Sequence, residues 1–471
     1  MTDQGLFIDG SWSDRAERTP QYDTWTREQI GTVAVGTAAD TTKAVDAAYR
    51  AMRTPWPVHA RAEALRRAAG LVAERAESFA QLITAEVGKP ITAARGEVAR
   101  AVETLRWSAE EAKRLPGERV PLDAVASGEG TFAFTQPVAK GVVAAITPFN
   151  FPINLLLHKL GPALAAGCAV VVKPSDHAPL TAGLMVRVFE EAGVPAGWLN
   201  LVTGPPPEIV GALQADDRVA VVTFTGSGRV GWALKAQAPR KDYVLELGSN
   251  TAMVVAADAD IARAARAAAD ASFVYAGQAC VSLQRLYVDR AVAEEFVAAL
   301  TDIVRAMPVG DPRLESTVVG PLISADATKR LESWIDSAKQ SGARILTGGA
   351  VADGLLPPTI LTDVPADHPL VCEEAFGPVL SVLTVDGLAD AIAQVNAADY
   401  ALNTSIYTSD IATAMKYANE AEAGTVLINM PPSYRADHMP YGGVKGSGQG
   451  LEGVRYAIAD LVREKLLVLH A

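Results

Sequence analysis

The chain has 471 residues, of which 49% are hydrophobic and 20% are charged, a balance typical of a folded protein with two or three domains. Its 42 basic and 54 acidic residues give a formal net charge of −12, which argues against nucleic-acid and membrane partners because both favour a basic face. The three scattered cysteines favour neither a disulfide framework nor a metal site, and the N-terminus lacks a signal-peptide pattern. We therefore expect a cytoplasmic protein that binds no metal.

The first part of the chain is predicted to be helical. Alanine, arginine and glutamate residues recur with helical periodicity over residues 41–114, and Pro116-Gly117 breaks the pattern. Apolar and polar residues then alternate over residues 128–138, which predicts an extended ribbon.

Short apolar strands and helices alternate in the rest of the chain. Strands are predicted at residues 141–148, 169–175, 219–225 and 243–248, and helices after Asn154 and over residues 181–193. This rhythm predicts βαβ crossovers and a parallel sheet. A second α/β unit is expected over residues 247–444, and residues 460–470 are expected to form a strand that could pair with a partner subunit.

A glycine motif follows the predicted strand at residues 219–225. Residues 226–231 match G-x-G-x-x-G between a strand and a helix, which is typical of a loop that holds phosphate at a helix N-terminus. Glu246 lies 20 positions after Gly226, where a dinucleotide-binding fold has its ribose-binding acid. The motif stands in the middle of the chain and not in its first βα unit, so the role of Glu246 stays open at this point.

Polar side chains follow several of the predicted strands. Asn150, Lys173 and Glu246 each lie at such an end, and Glu374 belongs to a pair of acids ahead of an aromatic residue. Because ligands of open α/β sheets bind at the carboxyl ends of strands, we expect one shared crevice. Cys280, in F-V-Y-A-G-Q-A-C-V-S, is either a small core residue or a nucleophile of this crevice.

These segments carry a resemblance to a known family. The motifs P-F-N-F-P, K-P-S, F-T-G-S, L-E-L-G, G-Q-A-C and E-E-A-F-G-P have the order and spacing of the NAD(P)-dependent aldehyde dehydrogenase superfamily, which the sequence resembles from Ile8 to Gly448. The resemblance implies an α/β fold with two parallel-sheet domains and a β-ribbon arm for oligomerisation. It implies an NAD(P)-binding domain of residues 1–118 and 139–246, a catalytic domain of residues 247–445, and an arm of residues 119–138 and 455–471. A homodimer or homotetramer is expected.

The same resemblance assigns roles in aldehyde oxidation. Cys280 matches the nucleophile, Asn150 the oxyanion donor and Glu246 the general base that hydrolyses the thioester. Acid-forming members have this glutamate and CoA-acylating relatives typically lack it, so a CoA-acylating enzyme and a non-catalytic binding protein are the less favoured alternatives. Lys159 and Glu452 match a proton relay.

The resemblance also implies a nicotinamide cofactor. NAD is expected, because the acidic side chain of Asp176 beside the ribose disfavours a 2′-phosphate. NADP is possible as well. The residues expected to contact the cofactor are Thr147, Pro148, Lys173, Ser175, Asp176, Gly226, Ser227, Val230, Leu247, Glu374 and Phe376.

The substrate is expected to be a small aldehyde with an anionic tail. Arg106, His158 and Arg435 resemble the anion-anchoring set of phosphonoacetaldehyde and non-phosphorylating glyceraldehyde-3-phosphate dehydrogenases, with Tyr441 as a further substrate contact. Those relatives carry an arginine immediately before the nucleophile, where this chain has Ala279. Phosphonoacetaldehyde is the leading expectation, and lactaldehyde, glyceraldehyde and carboxylate semialdehydes are the alternatives.

Overall fold

Four helices follow five short N-terminal strands in the computed structural model, which describes residues 2–470. They span Ala38–Ala51, Val58–Glu74, Ala76–Val87 and Ile91–Glu111, as the helical periodicity predicts. The first begins at a capping box, in which the Thr37 side chain accepts from the backbone N–H of Asp40 and the Asp40 side chain accepts from that of Thr37. Their alanine and leucine faces are buried in one core with the first large sheet.

The first large sheet has eight strands. In spatial order they are Gly448–Gln449, Asp242–Glu246, Val219–Thr225, Val142–Ile146, Val170–Lys173, Leu199–Leu201, Leu6–Ile8 and Ser11–Ser13. The five strands between residues 142 and 246 are parallel, and the short strands at both edges are antiparallel to their neighbours. The chain order reverses between Val142–Ile146 and Val219–Thr225, so a ligand crevice is expected at the carboxyl ends of these two strands.

The second large sheet has seven strands. In spatial order they are Arg344–Thr347, Thr359–Thr362, Val379–Val385, Arg285–Asp289, Ala252–Val255, Asn403–Tyr407 and Thr425–Ile428. All are parallel except the first. Glu246 is the last residue of a strand in the first sheet, and Ala252 is the first residue of a central strand in the second. Only residues 247–251 connect the two strands. The short connection brings the two sheet ends together around the crevice.

A three-stranded ribbon lies outside both sheets. Val462–His470 pairs antiparallel with Thr131–Ala139 over nine residue pairs, and Arg119–Val120 pairs with the other edge of that strand. The C-terminal strand therefore pairs with its own chain on one side and is an edge strand of the ribbon, so pairing of its other side with a partner subunit stays a prediction. Phe132 is 50% exposed and Leu469 is 56% exposed. Exposed apolar side chains of this kind suit an oligomerisation arm, which stays a prediction.

The remaining elements cover the sheets. The helices are Asn154–Ala166, Pro179–Glu191, Pro206–Ala215, Gly228–Gln237, Ile261–Phe273, Ala293–Arg305, Ala325–Gln340, Pro369–Cys372, Leu388–Asn396, Ile411–Glu420 and Val454–Leu461. A small sheet contains Thr2–Gln4, Gln29–Ala34 and Arg18–Tyr22. The predicted α/β class, with two parallel-sheet units and a β-ribbon, is confirmed. Within residues 2–470, no helix is long and apolar enough to cross a membrane.

Candidate active site

Cys280 follows a turn with an unusual backbone. Tyr275, Ala276 and Gly277 have φ values of 56°, 53° and 66°, all in the left-handed region. A Cβ atom on Gly277 would lie 2.3 Å from the carbonyl oxygen of Gly377, so the turn requires glycine there. Left-handed non-glycine residues cost of order 1–3 kcal/mol each and persist where the surroundings hold them, often at functional sites. The strained turn thus marks the Cys280 segment as a candidate site.

A cavity of about 590 Å³ leads to the Cys280 side chain. Its wall is mainly apolar, with some charged and aromatic groups, of which Tyr441 contacts the sulfur. These groups are Lys89, Arg100, Phe151, Arg263, Arg266, Asp270, Tyr275, Tyr407, Arg435 and Tyr441. An apolar pocket with few convergent polar groups is the usual form of a small-molecule site.

The Cys280 thiol is in a setting that opposes ionisation. Burial raises its pKa to about 11, and the negative charges of Glu246 and Glu374 act in the same direction. The hydroxyl of Tyr441 lies 3.2 Å from Sγ, and this hydrogen bond acts in the opposite direction, lowering the pKa. The thiol therefore needs a base or a stabilising donor before it can act as a thiolate nucleophile.

Glu246 ends its strand with a buried carboxyl group. It is 3% exposed, and neither of its side-chain oxygens has a hydrogen-bond partner among the described residues. Burial raises its pKa well above the usual range, and the charge of Glu452 adds to this effect. A buried acceptor without a partner is costly, so the position suits a group that takes up a water or a substrate proton.

Asn150 lies against the segment that carries Cys280. Its Nδ2 donates to the carbonyl oxygen of Gln278 at 3.0 Å, and the side chain is buried. Because an amide nitrogen carries two hydrogens, one N–H remains available to a ligand.

The predicted relay residues form a buried ionic chain. Lys159 Nζ donates to Thr225 Oγ1 at 2.6 Å and to Glu452 Oε1 at 3.1 Å. The other oxygen of Glu452 accepts from Arg435 Nη2 at 3.0 Å. The Arg435 guanidinium carbon lies 3.8 Å from the ring centroid of Tyr441, whose hydroxyl contacts Cys280. The chain of contacts thus extends from Lys159 to the candidate nucleophile.

His158 contacts both Arg435 and a carboxylate, Asp437, that the sequence did not single out. His158 Nε2 lies 3.0 Å from Asp437 Oδ1 and 3.1 Å from Arg435 Nη2. Burial lowers the pKa of His158 to about 4, and the charge of Arg435 contributes, so this imidazole is neutral at pH 7. His158 is therefore a buried support of Arg435, outside the residues that line the cavity.

Arg100 also lines the cavity, and the sequence did not single it out either. It binds Asp437 through two hydrogen bonds, Nη2 to Oδ1 at 2.7 Å and Nε to Oδ2 at 3.1 Å. Although burial raises the pKa of Asp437, the hydrogen bonds from His158 and Arg100 outweigh it and hold that pKa well below its usual range. Asp437 thus fixes Arg100 in the cavity wall and supports Arg435 through His158.

Arg106 does not reach the cavity, which corrects its place among the expected substrate residues. Its side chain is 58% exposed and pairs with Glu103 on the same helix. Six positions after Arg100, the helix has turned by about 240°, which points Arg106 to solvent.

The expected cofactor side of the crevice is built from strand ends. Ser227 immediately precedes the helix Gly228–Gln237, so free N–H groups face outward there. Glu374 Oε1 accepts from the Ser249 backbone at 2.9 Å, and burial raises the Glu374 pKa to about 7. A Cβ on Gly248 would lie 2.4 Å from the Glu374 carboxylate, so a larger residue there would displace that carboxylate.

The other expected cofactor residues are distributed around the same edge. Lys173 Nζ donates to Asp176 Oδ1 at 2.6 Å, and Phe376 packs edge-on against Phe149 with ring centroids 5.9 Å apart. The remainder lie directly after strands of the first sheet or at the helix start: Thr147, Pro148, Ser175, Gly226, Val230 and Leu247. An acid beside a lysine, free helix N–H groups and a glycine cradle fit a dinucleotide.

Known proteins resemble this chain over almost its whole length. The model of the aldehyde dehydrogenase family matches residues 12–467. The 3-sulfolactaldehyde dehydrogenase of Priestia aryabhattai is 43% identical over 466 residues, 99% of this chain and 98% of that protein. The lactaldehyde dehydrogenase of Methanococcus maripaludis is 36% identical over 472 residues, 99% of this chain and all of that one. The NADP-dependent glyceraldehyde-3-phosphate dehydrogenase of Bacillus halodurans, solved with NADP, has a TM-score of 0.97 at 33% identity, with both chains covered completely.

Proposed function

Because the chain belongs to the aldehyde dehydrogenase family and is an NAD(P)-dependent aldehyde dehydrogenase, we propose that its substrate is a short 2-hydroxyaldehyde with an anionic tail. Four arginines, Arg100, Arg263, Arg266 and Arg435, line the cavity that leads to Cys280, and this cationic lining is the observation that carries the proposal. Arginine suits sulfonate and phosphonate oxygens because its planar fork binds them through two hydrogen bonds.

The relatives favour a sulfonate over a phosphonate. One is named for 3-sulfolactaldehyde and another for lactaldehyde, and both of these are 2-hydroxyaldehydes. We therefore place 3-sulfolactaldehyde ahead of phosphonoacetaldehyde, the leading expectation from the sequence. Lactaldehyde is the second candidate, supported by the same comparison and by the mainly apolar cavity wall.

Cys280 starts the proposed reaction. Its thiolate forms a bond to the aldehyde carbon while the carbonyl π pair moves to oxygen, which gives a thiohemiacetal oxyanion. The free N–H of Asn150 and the Cys280 backbone N–H are the donors proposed for that oxyanion. Bound NAD(P) supplies the hydride acceptor, and the collapse of the oxyanion leaves a thioester on Cys280.

Glu246 acts in the second half. A thioester needs an activated water, and the unpartnered carboxylate of Glu246, whose charge acts on Cys280, is suited to take the proton of that water. The oxygen of the water then bonds to the acyl carbon, the sulfur leaves, and the acid is released. Lys159 and Glu452 are proposed to carry the proton away, since they form the ionic pair next to Glu246. A carboxylate in this place favours hydrolysis over transfer of the acyl group to coenzyme A.

A comparison of aldehydes tests the substrate class. With NAD in excess and equal aldehyde concentrations, we expect the highest kcat/KM for 3-sulfolactaldehyde and a value lower by about ten- to a hundredfold for lactaldehyde, because a charge-assisted contact is lost. Phosphonoacetaldehyde should lie between them. A kcat/KM for lactaldehyde equal to that for 3-sulfolactaldehyde would remove the anionic tail from the proposal.

A further inference from the structure

The hydroxyl group of Tyr441 lies against the Cys280 sulfur, and no step proposed above uses it. The two atoms are 3.2 Å apart. Tyr441 is 2% exposed, and within residues 2–470 its hydroxyl has no other hydrogen-bond partner. A buried phenol normally has a good partner, whereas a neutral thiol is a weak one. The hydroxyl therefore gains most if the sulfur becomes negatively charged.

The surroundings of Tyr441 hold its ring in this position. The backbone N–H of Tyr441 donates to the carbonyl of Glu452 at 3.0 Å, and the N–H of Glu452 donates back at 2.6 Å. The guanidinium carbon of Arg435 lies 3.8 Å from the ring centroid. A fixed positive charge beside the ring strengthens the phenol as a hydrogen-bond donor.

The charged and titratable groups that face Cys280 act in opposite directions. Burial and the carboxylates of Glu246 and Glu374 disfavour a thiolate. Tyr441 and Arg435 favour it, and of these two only Tyr441 touches the sulfur. The hydroxyl of Tyr441 is thus a direct hydrogen-bond donor to the sulfur, and it opposes the effect of the two carboxylates on the ionisation of Cys280.

We propose that Tyr441 is a catalytic residue, whose hydroxyl donates a hydrogen bond to the Cys280 thiolate and lowers the pH at which the nucleophile ionises. This inference rests on the proposed function, in which Cys280 is the nucleophile. The thiol proton passes to Glu246 or to water, and Tyr441 keeps its own proton. The bond from sulfur to the carbonyl carbon forms afterwards, and the hydrogen bond weakens as the sulfur loses its charge.

The Tyr441→Phe variant tests this role, since it removes the hydroxyl and keeps the ring. We would measure the rate of Cys280 alkylation by iodoacetamide in the full-length enzyme from about pH 6 to about pH 10, by peptide mass spectrometry. Because the pKa of Cys280 is about 11, the alkylation rate in this range follows the small thiolate fraction, and it should be about ten- to a hundredfold lower in Tyr441→Phe at each pH, since a hydrogen bond to the charged form is lost. Arg435→Gln should also lower the alkylation rate of Cys280, which provides a second variant.

Two controls accompany the measurement. Tyr434, on the same loop and 43% exposed, gives a matched Tyr434→Phe variant that should alkylate like the wild type. Cys372 is exposed, so its alkylation rate should be equal in all variants.

The outcomes separate this inference from the proposed function. An unchanged rate of Cys280 alkylation across this pH range in Tyr441→Phe overturns the inference, and a higher KM alone would leave Tyr441 as a substrate contact. If complete alkylation of Cys280 leaves the dehydrogenase activity intact, the nucleophile assignment itself is wrong.

Discussion

Replacing Arg435 with methionine should change which aldehydes the enzyme prefers. Arg435 Nη2 is occupied by Glu452 and His158, at 3.0 Å and 3.1 Å, while the buried Nε has no partner among the described residues. The variant disturbs Glu452 for every substrate, but only an anionic aldehyde also loses a charge-assisted contact. That contact is worth about 1.5–3 kcal/mol, or about ten- to a hundredfold in kcat/KM.

The assay compares two aldehydes that differ by one sulfonate group. For 3-sulfolactaldehyde and lactaldehyde, the ratio of kcat/KM values should fall by about ten- to a hundredfold in Arg435→Met. Arg106→Met is the matched control and should leave the ratio unchanged, because that side chain is 58% exposed and outside the cavity. An equal loss on both aldehydes in Arg435→Met would mean that Arg435 only holds the buried network, and the anion-anchor reasoning would be refuted.

Three further predictions follow from the crevice. NAD affinity should weaken as the pH falls below about 7, because burial raises the pKa of Glu374 to about 7 and the protonated acid accepts fewer hydrogen bonds from the ribose. Titration calorimetry should show this loss in the wild type and an NAD affinity that does not change with pH in Glu374→Gln. Gly277→Ala should lower the free energy of unfolding by about 1–3 kcal/mol in denaturant titrations, whereas Gly70→Ala, at an open helical position, should be neutral or stabilising. The kcat/KM should be higher for NAD than for NADP, and Asp176→Ala should narrow the difference; a wild-type preference for NADP would contradict this.

The sequence predicted the strands and helices well because their signals are local. Apolar runs, helical periodicity and glycine breaks each lie within a few residues, so the strand ends that carry Asn150, Lys173 and Glu246 could be located from the sequence alone. The pairing of Val462–His470 could not be predicted, since a strand edge offers the same hydrogen bonds to its own chain and to a partner.

The choice among arginines depended on long-range contacts. Arg100 and Asp437 are 337 positions apart, and Cys280 and Tyr441 are 161 apart, so no local pattern reveals either contact. A weak signal for Arg100 exists, because it shares a helix face with Glu97 and Thr104, both buried and polar. Arg106 shares no such face.

Trapping the acyl-enzyme tests the central claim most directly. Glu246→Gln enzyme would be mixed with NAD and 3-sulfolactaldehyde, quenched, and digested for mass spectrometry, with Cys280→Ala as the control. We predict an acyl group on the Cys280 peptide and one NADH per active site before turnover stops, because the thioester forms but its hydrolysis lacks a base. Steady NADH production by Glu246→Gln with no adduct on Cys280 would contradict the account.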